Sequence, residues 1–101
     1  MAERFEIAIS QRGDESLQLL SAAQQRLVAD AIARHLTFEA NRETRNRKPM
    51  RDNLVGSWEL RLGTLRVLYD VTDAPPFRVL VTLVLVKRRN RWFAGSEELQ
   101  L

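Results

Sequence analysis

The sequence predicts an α+β domain: a small, mostly antiparallel four-stranded sheet with two N-terminal helices packed on one face, in the order β-α-α-β-β-β. Three observations carry that prediction. Apolar residues alternate with polar ones on both sides of Gly63-Thr64, as in a two-stranded hairpin. Between Ala23 and Leu36 they recur at helical spacing. From Val79 to Val86 the chain is apolar on every residue but Thr82, a strand-sized run with both faces apolar.

Taken in order, residues 3–9 alternate with Phe5, Ile7 and Ile9 on one face and read as a first strand, which Gln11-Arg12-Gly13-Asp14 ends. A short helix is expected from Glu15 to Leu20. Ser21-Ala22-Ala23-Gln24 has the form of a capping box, in which the serine hydroxyl and the glutamine amide satisfy the first free backbone groups of a second helix. Ala23, Leu27, Val28, Ala31, Ile32, His35 and Leu36 give that helix one apolar stripe. The segment Asn41 to Asn53 is polar and basic, is interrupted by Pro49 and has no hydrophobic period, so it reads as a loop or a frayed helix end.

The hairpin follows. Glycine at the first position of a two-residue loop suits a type II′ turn, and counting outward pairs Leu62 with Leu65, Arg61 with Arg66, Leu60 with Val67, Glu59 with Leu68 and Trp58 with Tyr69. Trp58, Leu60, Leu62, Leu65, Val67, Tyr69 and Val71 then share the core face, with Tyr69 and Trp58 as core residues. Glu59, Arg61, Arg66, Leu68 and Asp70 share the other. Two arginines directly opposite each other repel, at a cost of a few tenths to about 1 kcal/mol. An anion between them turns that cost into a binding site, with phosphate the obvious candidate. The plainer alternative is diagonal pairing with Glu59 and Asp70 on an ordinary solvated face. After a turn at Asp73-Ala74-Pro75-Pro76, the last strand runs from about Arg78 to Lys87, central in the sheet.

One domain spanning 1–101 is long enough to bury a single modest core. With 45% hydrophobic and 29% charged residues the chain belongs to the ordinary globular class. It has no cysteine, which excludes a disulfide framework and fits a cytoplasmic location. No stretch reaches the length of a membrane span, and the charged opening Met1-Ala2-Glu3-Arg4 does not read as a signal peptide. The net charge of +3 is unevenly spread: residues 1–41 hold four basic and six acidic side chains, and residues 42–91 hold twelve basic and five acidic. A positive field confined to one half of a small domain points to a polyanionic partner.

Three basic groups are expected to converge on one rim of the sheet. They are Arg61 and Arg66 of the hairpin, Lys87, Arg88, Arg89 and Arg91 at the end of the last strand, and Arg42, Arg45, Arg47, Lys48 and Arg51 of the loop. Each phosphate engaged adds about 0.7 to 0.9 to the salt slope of binding. Trp92 and Phe93 follow the basic cluster, placed either to stack on a base or to close the core. Nothing points to a metal or a cofactor: His35 is alone, and no glycine-rich phosphate loop is present. Chemistry on nucleic acid would fall to arginine and lysine. RNA permits that, since its own 2′-hydroxyl can attack the adjacent phosphate while cations stabilise the pentavalent transition state.

With that element order, the segment Glu59-Leu60-Arg61-Leu62-Gly63-Thr64-Leu65-Arg66-Val67-Leu68-Tyr69-Asp70-Val71 and the strand ending Val86-Lys87-Arg88 resemble the RelE/ParE superfamily of toxins from bacterial toxin–antitoxin modules. The likeness spans roughly residues 3 to 93, and the loop from Arg42 to Pro49 looks like a subgroup of cytotoxic translational repressors.

The resemblance implies a toxin that inhibits translation by metal-independent mRNA cleavage on the ribosome, held inactive by a cognate antitoxin, and when free a monomer or weak dimer. By resemblance Arg66 stabilises the transition state, Arg88 the leaving group, and Arg61 is a basic residue on the turn's other arm. Arg45, Arg47, Lys48, Arg51, Lys87, Arg89, Arg91, Trp92 and Phe93 would contact RNA. Two positions depart from the RelE pattern. Glu59 stands where a lysine is expected, and Trp92 and Phe93 stand near the place of a tyrosine, which hands proton transfer to Lys48 or Lys87. The ParE branch implies the alternative of a gyrase-directed toxin without catalysis, and an inactive basic relative is a third possibility.

Overall fold

The structure, a computed structural model, describes residues 3–50, 57–72 and 74–100. Its elements run β1 (Glu6–Ile9), α1 (Gln11–Gln18), α2 (Ala22–Leu36), β2 (Arg47–Pro49), β3 (Trp58–Leu62), β4 (Leu65–Thr72), β5 (Arg78–Arg88), β6 (Arg91–Ala94) and β7 (Glu97–Leu99). The strands form one sheet in the order β2-β3-β4-β5-β6-β7, antiparallel throughout, with β1 added parallel to β5. The α+β arrangement is the expected one. Among the described residues the sheet has seven strands rather than four, because short strands extend both of its sides.

Two of the extra strands lie beyond Arg88, where a turn of Arg89 and Asn90, both at positive φ, folds the chain back without any glycine to announce it. The third is β2, inside the segment expected to be a loop. Arg47, Lys48 and Pro49 carry no alternation of their own and become a strand by pairing with Leu60, Glu59 and Trp58. The remainder of that segment from Arg51 lies outside the described residues.

β5 is the spine. β4 borders one side of it; β1 borders the other over Arg78–Val81, and β6 over Val86–Arg88. Between these two neighbours β5 bulges: Leu68 pairs with Leu83 but Tyr69 with Val81, so Thr82 is an extra residue. α1 covers the gap. Ser10 N donates to Val81 O at 2.9 Å, Ser10 Oγ to Thr82 O at 3.3 Å, and Val84 N to Ser16 Oγ at 2.9 Å, so backbone groups that a strand would have paired are paired by a helix start. The same contact explains why α1 begins at Gln11, not Glu15. Ser10 caps it by accepting from Gly13 N, and Gly13 is required there because a Cβ would come within 2.6 Å of Val81 O. The Ser21 capping box of α2 is present as expected.

The bulge determines which side each later residue of β5 takes. Val79, Val81, Val84 and Val86 face the helices, with Val28, Ile32, Leu36, Leu60, Val67 and Tyr69. Leu83 and Leu85 face the other way with Leu68, covered by Met50, Trp92, Ala94 and Leu99. Tyr69 is fully buried, stacks on Trp58 and donates to Ala40 O at 2.8 Å. Burial pushes its hydroxyl well above the ordinary tyrosine range, so it is a fixed donor of the core.

Candidate anion-binding face

The hairpin register is the predicted one, with Arg61 opposite Arg66 and Glu59 opposite Leu68. Gly63 has φ +65° and Thr64 is not at positive φ, as a type II′ turn requires. What separates the two arginines is the protein's own carboxylate. Glu59 Oε1 accepts from Arg61 Nε at 2.6 Å and Oε2 accepts from Arg66 Nη1 at 3.0 Å. The Glu59 side chain is only 6% exposed, against 23% for Arg66 and 46% for Arg61. Asp70 takes no part: it accepts from the backbone and hydroxyl of Ser57.

Arg66 is held from a second direction. Its guanidinium lies over the Trp92 ring at 4.5 Å, and the Lys87 ammonium lies 5.9 Å from the same ring. Its Nε is buried and has no hydrogen-bond partner among the described residues. The face therefore gathers Arg61 and Arg66 around one carboxylate with Lys87 beside Trp92, a surplus of two positive charges in which the Arg66 guanidinium is fixed by stacking. Such a cluster can take a phosphodiester oxygen at the exposed edge of Arg61 and stabilise added charge on it.

Arg88 is not part of this cluster. The expected meeting of three arginines fails because the extra residue at Thr82 shifts the alternation by one, putting Lys87 on the face of Arg66 and turning Arg88 to the face of Val86 and Phe93. There its guanidinium lies 4.8 Å from the Phe93 ring and donates to Gly95 O. An open cavity of about 610 Å³ lies beside it, lined by Arg88, Arg89, Arg91, Phe93 and Ser96. Arg91 also pairs with Glu98 at 3.4 Å.

Arg47 is a second correction. It was expected to contact nucleic acid, but it is 3% exposed and ties β2 to the end of α2. Its Nε donates to Arg42 O, Nη1 to His35 O and Nη2 to Glu39, at 3.0 to 3.3 Å, with Nη1 also 3.2 Å from His35 Nδ1. Burial first, and then the Arg47 charge, lower the His35 pKa from its ordinary 6.5, so His35 accepts here as the neutral ring. Of the remaining candidates, Arg45 is exposed, Lys48 pairs with Glu43 at 3.2 Å, and Arg51 lies outside the described residues.

Glu59 pairs with the arginines as the plainer alternative expected, while Asp70 does not. The signal for Glu59 was present, since it stands two residues from Arg61 on the same strand face.

No protein-family model matches the chain, and no curated protein matches it. Among solved structures it is similar to a chain in the toxin–antitoxin complex RelBE2 from Mycobacterium tuberculosis, with a TM-score of 0.65 and 22% identity over 83% of this chain and 99% of that one. The protein shares its fold with that chain.

Proposed function

We propose that this protein is the toxin of a type II toxin–antitoxin module and that it inhibits translation by cutting mRNA. A single observation carries this reading: on a RelE-like fold, Arg61, Arg66 and Lys87 stand on one sheet face, with the Arg66 guanidinium held by Trp92. The RNA 2′-hydroxyl attacks the adjacent phosphorus, forming the O2′–P bond as the P–O5′ bond breaks. Arg61 and Arg66 stabilise the charge on the non-bridging oxygens. The 2′ proton passes to solvent and Lys87 donates one to the leaving 5′ oxygen. Arg45, Arg89 and Arg91 serve as flanking phosphate contacts. In this reading a cognate antitoxin neutralises the basic face in the cytoplasm, and the free toxin is a monomer or weak dimer.

Purified protein added to programmed ribosomes should cut the message, and Arg66→Ala should not. Intact message at saturating protein would reject cleavage. A second reading, a ParE-like toxin that acts by binding alone, is favoured by Glu59, which already neutralises part of the arginine charge. Induced expression would then give DNA breaks with transcripts spared. Expression without any effect on growth would leave a basic binding relative.

A further inference from the structure

Both arginines of the candidate site are already bound to an anion, and that anion belongs to the chain. Each Glu59 oxygen takes one guanidinium, the geometry in which two oxygens of a phosphate would be held. A ligand oxyanion that bridges both guanidinium groups must therefore compete with Glu59, and a nearly buried carboxylate cannot leave its cations unless another one receives it.

β2 supplies that cation. Lys48 is the residue directly opposite Glu59 across the β2–β3 pair, on the same face and within reach of a cross-strand contact. In the present arrangement Lys48 is turned to Glu43, an exposed partner at 3.2 Å. An exposed pair of this kind is worth little and is easily given up. The buried, unpartnered Nε of Arg66 is a further sign that Glu59 leaves the donors of this site incompletely used.

We propose that Glu59 is an internal stand-in for phosphate, which a phosphodiester displaces from Arg61 and Arg66 while Glu59 transfers to Lys48. The inference rests on the reading of this face as a nucleic-acid site and adds a rule for it: an exchange of ion pairs sets the affinity. A weak lone phosphate does not drive the exchange, whereas a strand that also reaches the flanking arginines does.

The test is the affinity of a short 2′-O-methyl oligonucleotide, which cannot be cut, for four proteins: the wild type, Glu59→Gln, Lys48→Met and the double variant. Glu59→Gln should bind on the order of tenfold more tightly, since one competing charge is gone. Its salt slope should be steeper by about 0.7 for each phosphate gained. Lys48→Met should weaken binding in the wild-type background and have no effect in the Glu59→Gln background. Equal or weaker binding by folded Glu59→Gln overturns the proposal. So does an equal loss from Lys48→Met in both backgrounds, which would make Lys48 a direct phosphate contact, and so does an absence of binding in all four proteins. Should Glu59→Gln fail to fold, the wild type is titrated with the same oligonucleotide and the Nε–H signals of Arg61 and Arg66 are followed by NMR; unmoved signals at saturation are equally fatal. Because the ligand is uncleavable, an exchange seen in a protein that never cuts message removes the cleavage reading alone.

Discussion

Arg47 and Arg66 each donate to a glutamate at 3.0 Å, yet they stand in opposite circumstances. Arg47 spends its donors on carbonyls and a carboxylate at the end of α2, beside a histidine ring, and is sealed from solvent. Arg66 has one carboxylate oxygen, one aromatic face and a buried Nε without a hydrogen-bond partner among the described residues. A saturated guanidinium is part of the framework; an unsaturated one at a surface edge has capacity left for a ligand. The same contrast separates Lys87, which joins Arg66 over Trp92, from Arg88, which is occupied by Phe93 and Gly95 on the other side.

The contrast makes four predictions. The largest effect is expected at Arg66: replacement by alanine should lower message cleavage about 100-fold or more, the scale for loss of one preorganised donor to a developing oxyanion. The urea midpoint should move little, and Arg88→Ala should cost far less activity. Comparable losses at both positions would restore Arg88 to the centre. Next comes Arg47→Met, which should lower unfolding free energy by about 3 kcal/mol through the loss of several charged hydrogen bonds, with cleavage per folded molecule preserved.

Arg89→Gly should raise stability by roughly 1 kcal/mol, since the turn holds this residue at φ 52°, where a side chain is strained. Thermal unfolding would check this, and a loss would mean that the arginine side chain supports the turn.

The smallest effect is a pH dependence. His35 has a folded pKa below its ordinary 6.5, so beneath that value the unfolded chain binds a proton that the native one refuses. Stability should therefore be flat above about pH 6.5 and fall as pH drops below it. Urea midpoints at intervals from about pH 7.5 to about pH 5.5 would show the slope, and His35→Gln should reduce it.

Where local chemistry decides conformation, the sequence was legible. The Gly63-Thr64 turn and the alternation around it predicted every pair of the β3–β4 ladder, and Ser21 with Gln24 predicted the start of α2. The apolar faces of the last long strand predicted a spine covered on both sides. β2 was hidden because Arg47-Lys48-Pro49 has no pattern until Leu60, Glu59 and Trp58 offer it a ladder. The start of α1 was hidden because Gly13 looks like a breaker until Val81 O is seen where its side chain would be.

By itself the sequence determined the α+β order, the opposed arginines and the basic half of the chain, because turn chemistry, capping and periodicity act over a few neighbouring residues. Only the tertiary structure decided which basic residue completes the arginine pair and what lies between the two. Without the extra residue at Thr82, alternation from Val79 would put Arg88 on the face of Arg66 and Lys87 on the other; with it, the two exchange sides. A bulge is stable only when something else pairs the backbone groups it frees, and here that partner is a helix start some seventy residues earlier in the chain.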